Sequence, residues 1–429
     1  MDSRASSHKA RRRHARPAIG VMAAVLSLVA AACGSSSKST TPSGSGASSG
    51  KITLGVLADL SGSCQGTGPS IVDGMNVAVD DLQAKGLTIG GKKYTIDLKV
   101  EDTASSNTTA VASTQSLIQD ANVKFILGPT CSGFQLNGVA PVAAKANVFY
   151  YSNFPVPAMG DPSTAVATVK QFPYVFLDSP RTVDAAAGYV AGITKFFPDA
   201  KKVYYLLDNV GAPLIPAEKN YFDQVGVSMS GQVYDVKTTD FGPLLAKAKA
   251  ANPDVLLYGV TEQPSLAILK QALDLGVAKE YYTTNGSCCS DPLSNAQGKP
   301  ISSPWAGLAF PANLEYPSSD GASHLADALK AKNGKLRAED SFAVVGYDQV
   351  QAVIQAMIAA GSTDDVAKVS EAFTTSTFNL IEGQGITFDA GHAPKFMNQD
   401  ACLVKDAKVT CAAIKYPPTN FQSPPLKGS

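Results

Sequence analysis

Three polar stretches and three shorter polar sites carry the side chains best suited to holding a small molecule. Asp59-Leu60-Ser61-Gly62-Ser63-Cys64-Gln65, Gly128-Pro129-Thr130-Cys131-Ser132-Gly133 and Ser152-Asn153-Phe154-Pro155 each follow a short apolar run, and Asp208-Asn209, Glu262 and Asn285 stand similarly in the second half. The chemistry on offer is hydrogen bonding and charge pairing. A Gly- and Ser-rich turn between a buried strand and a helix points free N–H groups and small hydroxyls outward at the carboxyl end of a sheet, where open α/β proteins hold ligands. For the first loop alone, site and ordinary βα scaffold stand level. The candidate ligand contacts are Ser61, Gln65, Thr130, Ser132, Ser152, Asn153, Phe154, Asp208, Glu262 and Asn285. For Asp208, Glu262 and Asn285 the alternative is a turn or cap role. Tyr150, Tyr151 and Phe154 offer faces for an aromatic or apolar ligand, though aromatics in strands are more often core.

Bond-breaking chemistry finds little support. Beyond residue 32 only His324 and His392 remain, in unrelated contexts, so neither a zinc site nor a His-dependent centre assembles easily. No His-Glu-x-x-His pattern occurs. Gly86-Leu87-Thr88-Ile89-Gly90-Gly91-Lys92 mimics a phosphate loop, but Lys93 stands where Ser or Thr is needed and the stretch runs from helix to strand. No cofactor and no metal is expected.

The elements positioning these stretches read as β-α repeated at close spacing. Ile52–Ala58 is a strand former and Ile71, Val72, Met75, Val77, Ala78, Val79 and Leu82 recur at helical spacing behind Pro69. Strands are predicted at 94–100, 123–127 and 148–151, with helices over 107–120 and 136–146. A second round starts after Tyr174, with strands at 202–207, 228–236, 255–258 and 281–284. This alternation predicts parallel sheets with helices on both faces, in two similar lobes. Further on, Trp305–Phe310 reads as a strand, 322–332, 341–360 and 364–375 as helices, and Cys402–Cys411 as a hairpin turning at Asp406-Ala407, with the two cysteines opposite each other.

The first 32 residues read as a signal peptide: Arg4, Lys9, Arg11, Arg12, Arg13 and Arg16 precede an apolar run from Ile19 to Ala32. That run is too short to span a bilayer core of about 30 Å comfortably. Ala30-Ala31-Ala32-Cys33-Gly34 resembles the lipobox of bacterial lipoproteins, which implies lipidation of Cys33 and a membrane-anchored protein facing the extracytoplasmic side; the alternative is a plain export signal with a stray cysteine. Residues 33–50, almost all Ser, Gly, Thr, Pro or Ala, form a flexible leash. The whole chain has 36 Lys/Arg and 36 Asp/Glu, and loss of residues 1–32 removes six basic and one acidic side chain, leaving a net charge of about −5. Acidity without basic clusters argues against nucleic acid.

The order and spacing of Gly55-Val56-Leu57-Ala58-Asp59-Leu60-Ser61-Gly62, Gly74-Met75-Asn76-Val77-Ala78, Ile89-Gly90-Gly91-Lys92-Lys93, Glu101-Asp102, Phe125-Ile126-Leu127-Gly128-Pro129, Pro253-Asp254-Val255, Leu275-Gly276 and Gly346-Tyr347-Asp348 resemble the type I periplasmic binding proteins of ABC transporters, in the branched-chain amino-acid and amide group. The resemblance covers about residues 51–415. It implies an α/β fold of two Rossmann-like lobes joined by a three-segment hinge, closing on a small ligand without turning it over. The implied partners are the ligand and ABC permease subunits, with a monomer expected; the alternative is a ligand sensor reporting to another protein. Lobe 1 is expected over 51–178 plus 287–381, lobe 2 over 179–286 plus 382–415, and a loose tail over 416–429. In amino-acid-binding relatives a Ser after the third strand and a small residue after the fourth hold the α-carboxylate, and an acid in the second lobe takes the ammonium. Ser132 and Thr130 match the first role. Phe154 alters the second, and the acid's place falls on Pro264, with Glu262 two residues away. Either Glu262 serves or the ligand lacks an α-ammonium.

Six cysteines follow Cys33, an even number that favours disulfides in an exported protein. If the strand order is 2-1-3, Cys64 and Cys131 lie just past neighbouring strands about 4.8 Å apart and can bond. Cys402–Cys411 is a second expected pair. Cys288-Cys289 is left open between a vicinal disulfide and free thiols.

Overall fold

The computed structural model describes residues 49–62, 65–129, 136–152, 157–209, 211–235, 237–259, 262–284, 304–309, 312–406, 408–417 and 421–428. The strands, in chain order, are β1 (Gly50–Ala58), β2 (Thr88–Ile89), β3 (Lys92–Asp102), β4 (Phe125–Leu127), β5 (Phe149–Ser152), β6 (Val175–Leu177), β7 (Lys202–Asp208), β8 (Ser228–Tyr234), β9 (Val255–Gly259), β10 (Glu280–Thr283), β11 (Trp305–Ala309), β12 (Phe378–Leu380), β13 (Gly383–Ile386), β14 (Met397–Lys405) and β15 (Lys408–Tyr416). They form two main sheets and a small hairpin. The first has the order β2-β3-β1-β4-β5-β6 and the second β15-β14-β11-β10-β9-β7-β8, with β12 and β13 paired separately.

Apart from β2 the first sheet is parallel, and β1 lies at its centre between β3 and β4. A central strand of a parallel sheet is covered on both faces, so it reads as an unbroken apolar run. Leu54, Val56, Leu57 and Ala58 are accordingly fully buried. The helix Thr67–Lys85 buries Ile71, Gly74, Met75 and Ala78, one stripe at helical spacing, against the helix Ala343–Ala360. That second helix is apolar enough by composition to cross a membrane but is packed in the core. Arg337 ties the pair together at one end, bonding Asp73 and the buried Asp340, while Ser70 Oγ donates to Asp340.

One face of the first sheet covers an aromatic cluster. Phe373, from the helix Val366–Thr375, has ring centroids 5.1 Å from Phe149 and Tyr151 and 4.9 Å from Phe176 and Phe378. Such tilted and edge-on rings add to the area they bury. The second sheet is parallel from β8 to β11 and antiparallel beyond, and it carries Leu256, Leu245 and Trp305 on one side and Leu257, Val190 and Phe222 on the other. Across β14 and β15, Cys402 faces Cys411 and the two form a disulfide.

Three parts of the expected lobe division need correction. Trp305–Ala309, expected in lobe 1, is a strand of the second sheet, parallel to β10 and antiparallel to β14. The chain therefore returns to the first lobe after Ala309, not near Gly286. Residues 383–388, expected in lobe 2, belong to the first core, where Ile386 and Phe388 are buried with Phe373 and Phe378. The loose tail over 416–429 is also overturned: Tyr416 is fully buried, and Phe421 packs edge-on against Tyr221.

Candidate functional site

At the carboxyl end of β1 the chain is held by the end of β3. Asp102 accepts hydrogen bonds from Leu60 N (3.0 Å), Ser61 N (3.3 Å), Ser61 Oγ (2.6 Å) and Ala104 N (2.8 Å). Burial pushes its carboxyl up, but these bonds outweigh it and hold Asp102 below the ordinary range. Ser61, a candidate ligand contact, thus already uses its hydroxyl hydrogen within the loop, and Gln65 is exposed. Thr103 Oγ1 donates to the buried Asp59 (2.6 Å), completing a preshaped rim.

Ser152 ends β5 with no exposed surface, and its carbonyl accepts the N–H of Asp178 (2.7 Å). It is thereby fixed beside the first crossing between lobes. Asp208 ends β7, fully buried, and Oδ1 accepts Gly211 N (3.0 Å), the geometry of a turn cap. Glu262 is the first residue of the helix Glu262–Leu275. Thr130, Ser132, Asn153, Phe154 and Asn285 lie outside the described residues, as do Cys33, Cys64, Cys131, Cys288 and Cys289. Ser61 and Ser152 therefore stand on the carboxyl edge of the first sheet, and Asp208 and the start of Glu262–Leu275 on that of the second. Among the described residues no group of three or more His, Cys, Asp or Glu is placed to hold a metal ion.

The crossings themselves form a built polar centre that sequence reasoning missed. Arg181, just past β6, makes a two-pronged ion pair with Asp389, at 2.5 and 2.6 Å. Arg181 is only 4% exposed, so the pair ties the first crossing to the third in a poorly solvated place. Alongside, Leu177 N donates to His392 O (2.9 Å), and His392 Nδ1 donates to Val175 O (2.9 Å) while its ring stacks on Phe176 at 4.0 Å. Burial pushes His392 below its ordinary value, so the ring is neutral at neutral pH.

Three further carboxyls, Asp178, Asp348 and Glu382, are buried and act on one another. Asp348 accepts the N–H groups of Ile381 and Glu382, both at 2.9 Å, and burial still pushes it up to about 7. Burial likewise raises Asp178 and Glu382 well above the ordinary range; Tyr151 and Gln349 are the polar neighbours of Asp178, neither in good hydrogen-bond geometry, and neither carboxyl oxygen of Glu382 has a hydrogen-bond partner among the described residues. Burial and their mutual repulsion keep these carboxyls protonated to a higher pH than exposed carboxylates. The signal in sequence was faint: Gly346-Tyr347-Asp348 stood out as a motif, but without a role.

A family model described as periplasmic binding protein matches residues 51–405. The chain is 26% identical over 325 residues to the Leu/Ile/Val-binding protein BraC3 of Rhizobium johnstonii, covering 75% of this chain and 83% of that one. Among solved structures, the branched-chain amino acid transporter substrate-binding protein LivJ from Streptococcus pneumoniae in complex with isoleucine superposes with a TM-score of 0.63 at 22% identity, over 85% of this chain and 99% of that one. A solute-binding protein from R. palustris in complex with 4-hydroxybenzoate gives a TM-score of 0.64 at 20% identity, covering 88% and 99%. At these identities the two structures speak to the fold alone.

Proposed function

Because this chain belongs to the periplasmic binding protein family, we propose that it captures a small organic carboxylate between its two lobes and delivers it to the permease subunits of an ABC importer. Its family members bind and do not turn over their ligands. The observation that carries the reading is the pair of mostly parallel sheets joined through crossings, over the length matched by the family model. In this reading the two carboxyl edges face each other, with Ser132, Thr130, Ser152 and Asn153 on one rim and Glu262 and Asn285 on the other. Closure about the crossings traps the solute, and the closed form is what the permease recognises.

The named relatives point to branched-chain amino acids, and one solved structure to an aromatic acid. A thermal-shift series with leucine, isoleucine, 4-hydroxybenzoate, amides and urea separates these, since a bound solute raises the melting temperature with its concentration. For an amino acid paired to Glu262, Glu262→Gln is expected to weaken binding about 10- to 100-fold, the worth of a hydrogen bond to a charged group. An aromatic acid should bind the variant unchanged. No shift with leucine, isoleucine or 4-hydroxybenzoate, or a shift with amides or urea alone, would defeat the carboxylate reading.

The mature protein is further proposed to be a monomer anchored through a lipidated Cys33. Cys33→Ser should move it from the membrane fraction to the soluble extracytoplasmic fraction, and the wild type should carry the added mass of acyl chains. A wild type found wholly soluble and unmodified would leave only the plain export signal.

A further inference from the structure

The segment after β15 touches both lobes. From the second-lobe side, Phe421 is 8% exposed and set edge-on to Tyr221 at 5.2 Å, in the core beneath the helices Thr182–Phe196 and Ile215–Gln224. Gln422 N donates to Gln224 Oε1 (3.1 Å). Ser423 Oγ donates to Asp184 Oδ1 (2.9 Å) and accepts from the Tyr221 hydroxyl (3.3 Å). A few residues later the chain has reached the other lobe. Lys427 N donates to Pro162 O (3.1 Å), on the connection between β5 and β6. Leu426 lines an open cavity of about 390 Å³ with Phe388, Ala390, His392 and Thr374.

The span between these two anchors passes over the crossings. Pro417, Ser423, Pro424 and Leu426 wall a second, smaller cavity whose opposite side holds Arg181 and Asp389. The covalent hinge consists of three backbone crossings, and this stretch adds a link of another kind, held by side-chain packing and single hydrogen bonds at each end.

We propose that residues 421–428 are a strap across the hinge, tying the helices of the second lobe to the Pro162 connection of the first and restricting how far the lobes part. An interaction that restrains one conformation shifts the equilibrium between conformations by its own differential free energy. The strap therefore biases the solute-free protein toward its less open form, and its loss costs affinity through the smaller fraction of binding-competent molecules. The second-lobe anchor is a buried ring with three hydrogen bonds and the first-lobe anchor a single backbone hydrogen bond, so the device loosens at the first-lobe end without unfolding either lobe.

The strap does not depend on the identity of the solute, and its primary test uses none. In the full chain without added ligand, small-angle scattering gives a radius of gyration, and hydrogen exchange gives protection for 178–184 and 387–396. A chain ending at Tyr416 is expected to show a larger radius and exchange at least about tenfold faster in those two segments. Lys427→Pro, which removes the N–H donated to Pro162 together with the ammonium that acts on Asp161, should move both readouts the same way by a smaller amount while the circular dichroism melt stays that of the parent. Should the shortened chain fail to fold, Lys427→Pro alone decides. An unchanged radius together with unchanged exchange in a folded variant overturns the proposal.

Discussion

Gly74→Ala should cost more than about 4 kcal/mol, enough to leave little folded protein. A Cβ at Gly74 would lie 1.8 Å from the carbonyl oxygen of Ala343 and 2.6 Å from its carbon. The reciprocal contact is as tight, since a Cβ at Gly346 would lie 2.0 Å from the carbonyl oxygen of Ile71. The helices Thr67–Lys85 and Ala343–Ala360 therefore meet backbone to backbone. Ordinary overpacking costs about 1–3 kcal/mol because side chains rotate away. Here the obstacle on each side is main chain, and relief requires separating two helices that between them bury Ile71, Met75, Val350 and Val353. Urea denaturation followed by circular dichroism is the check; a midpoint equal to that of the parent would show that the helices can part cheaply.

Stability should also fall as the pH rises from about 4 to about 8, against the usual behaviour of carboxylates held in ion pairs. Asp348 is raised from 3.8 to about 7, and Asp178 and Glu382 are raised well above their ordinary values, all by burial first. The folded state then binds protons that the unfolded chain has released, so its advantage is complete below about pH 4 and is lost as the pH passes through the folded-state values. At about 1.4 kcal/mol per pH unit, Asp348 alone accounts for a change on the order of 4 kcal/mol. The groups facing these acids are Tyr151 from β5, Gln349 beside Asp348 and Tyr416 from β15, with Tyr189 and Asp184 beyond Tyr416. None is a cation, and Arg181 is engaged by Asp389. Glu218 adds a similar effect in the second lobe, where burial pushes it up to about 8. Unfolding free energy measured across this range should flatten in Asp178→Asn combined with Glu382→Gln. A pH profile in the double variant as steep as that of the parent would place the titrating groups elsewhere.

Much of the α/β architecture could be read from the sequence because parallel strands buried on both faces leave unbroken apolar runs. Ile52–Ala58, Val123–Leu127 and Val255–Tyr258 are such runs, and each falls on an observed strand, β1, β4 and β9. The Cys402–Cys411 register followed from hairpin arithmetic, local information that tertiary context left undisturbed. The lobe boundaries were harder. Trp305–Ala309 reads as a strand in either lobe, and only its partners β10 and β14 decide between them. Composition misled at the end of the chain: Pro- and Ser-rich residues 417–428 look loose, yet Phe421 and Ser423 find partners on helices some two hundred positions earlier. The hinge acids were invisible for a related reason, since Asp178, Asp348 and Glu382 are far apart in sequence and each alone resembles a surface residue.

The first core has a consequence for the order in which the protein can form during synthesis. All six strands of its sheet have emerged once residue 177 is made, but the aromatic and aliphatic layer beneath them waits for Val350, Val353, Phe373, Phe388 and, last, Tyr416. A nascent chain cannot complete that layer until almost its whole length exists. For a protein proposed to pass through a membrane before folding, interleaving its halves postpones completion of the layer until translocation is nearly over.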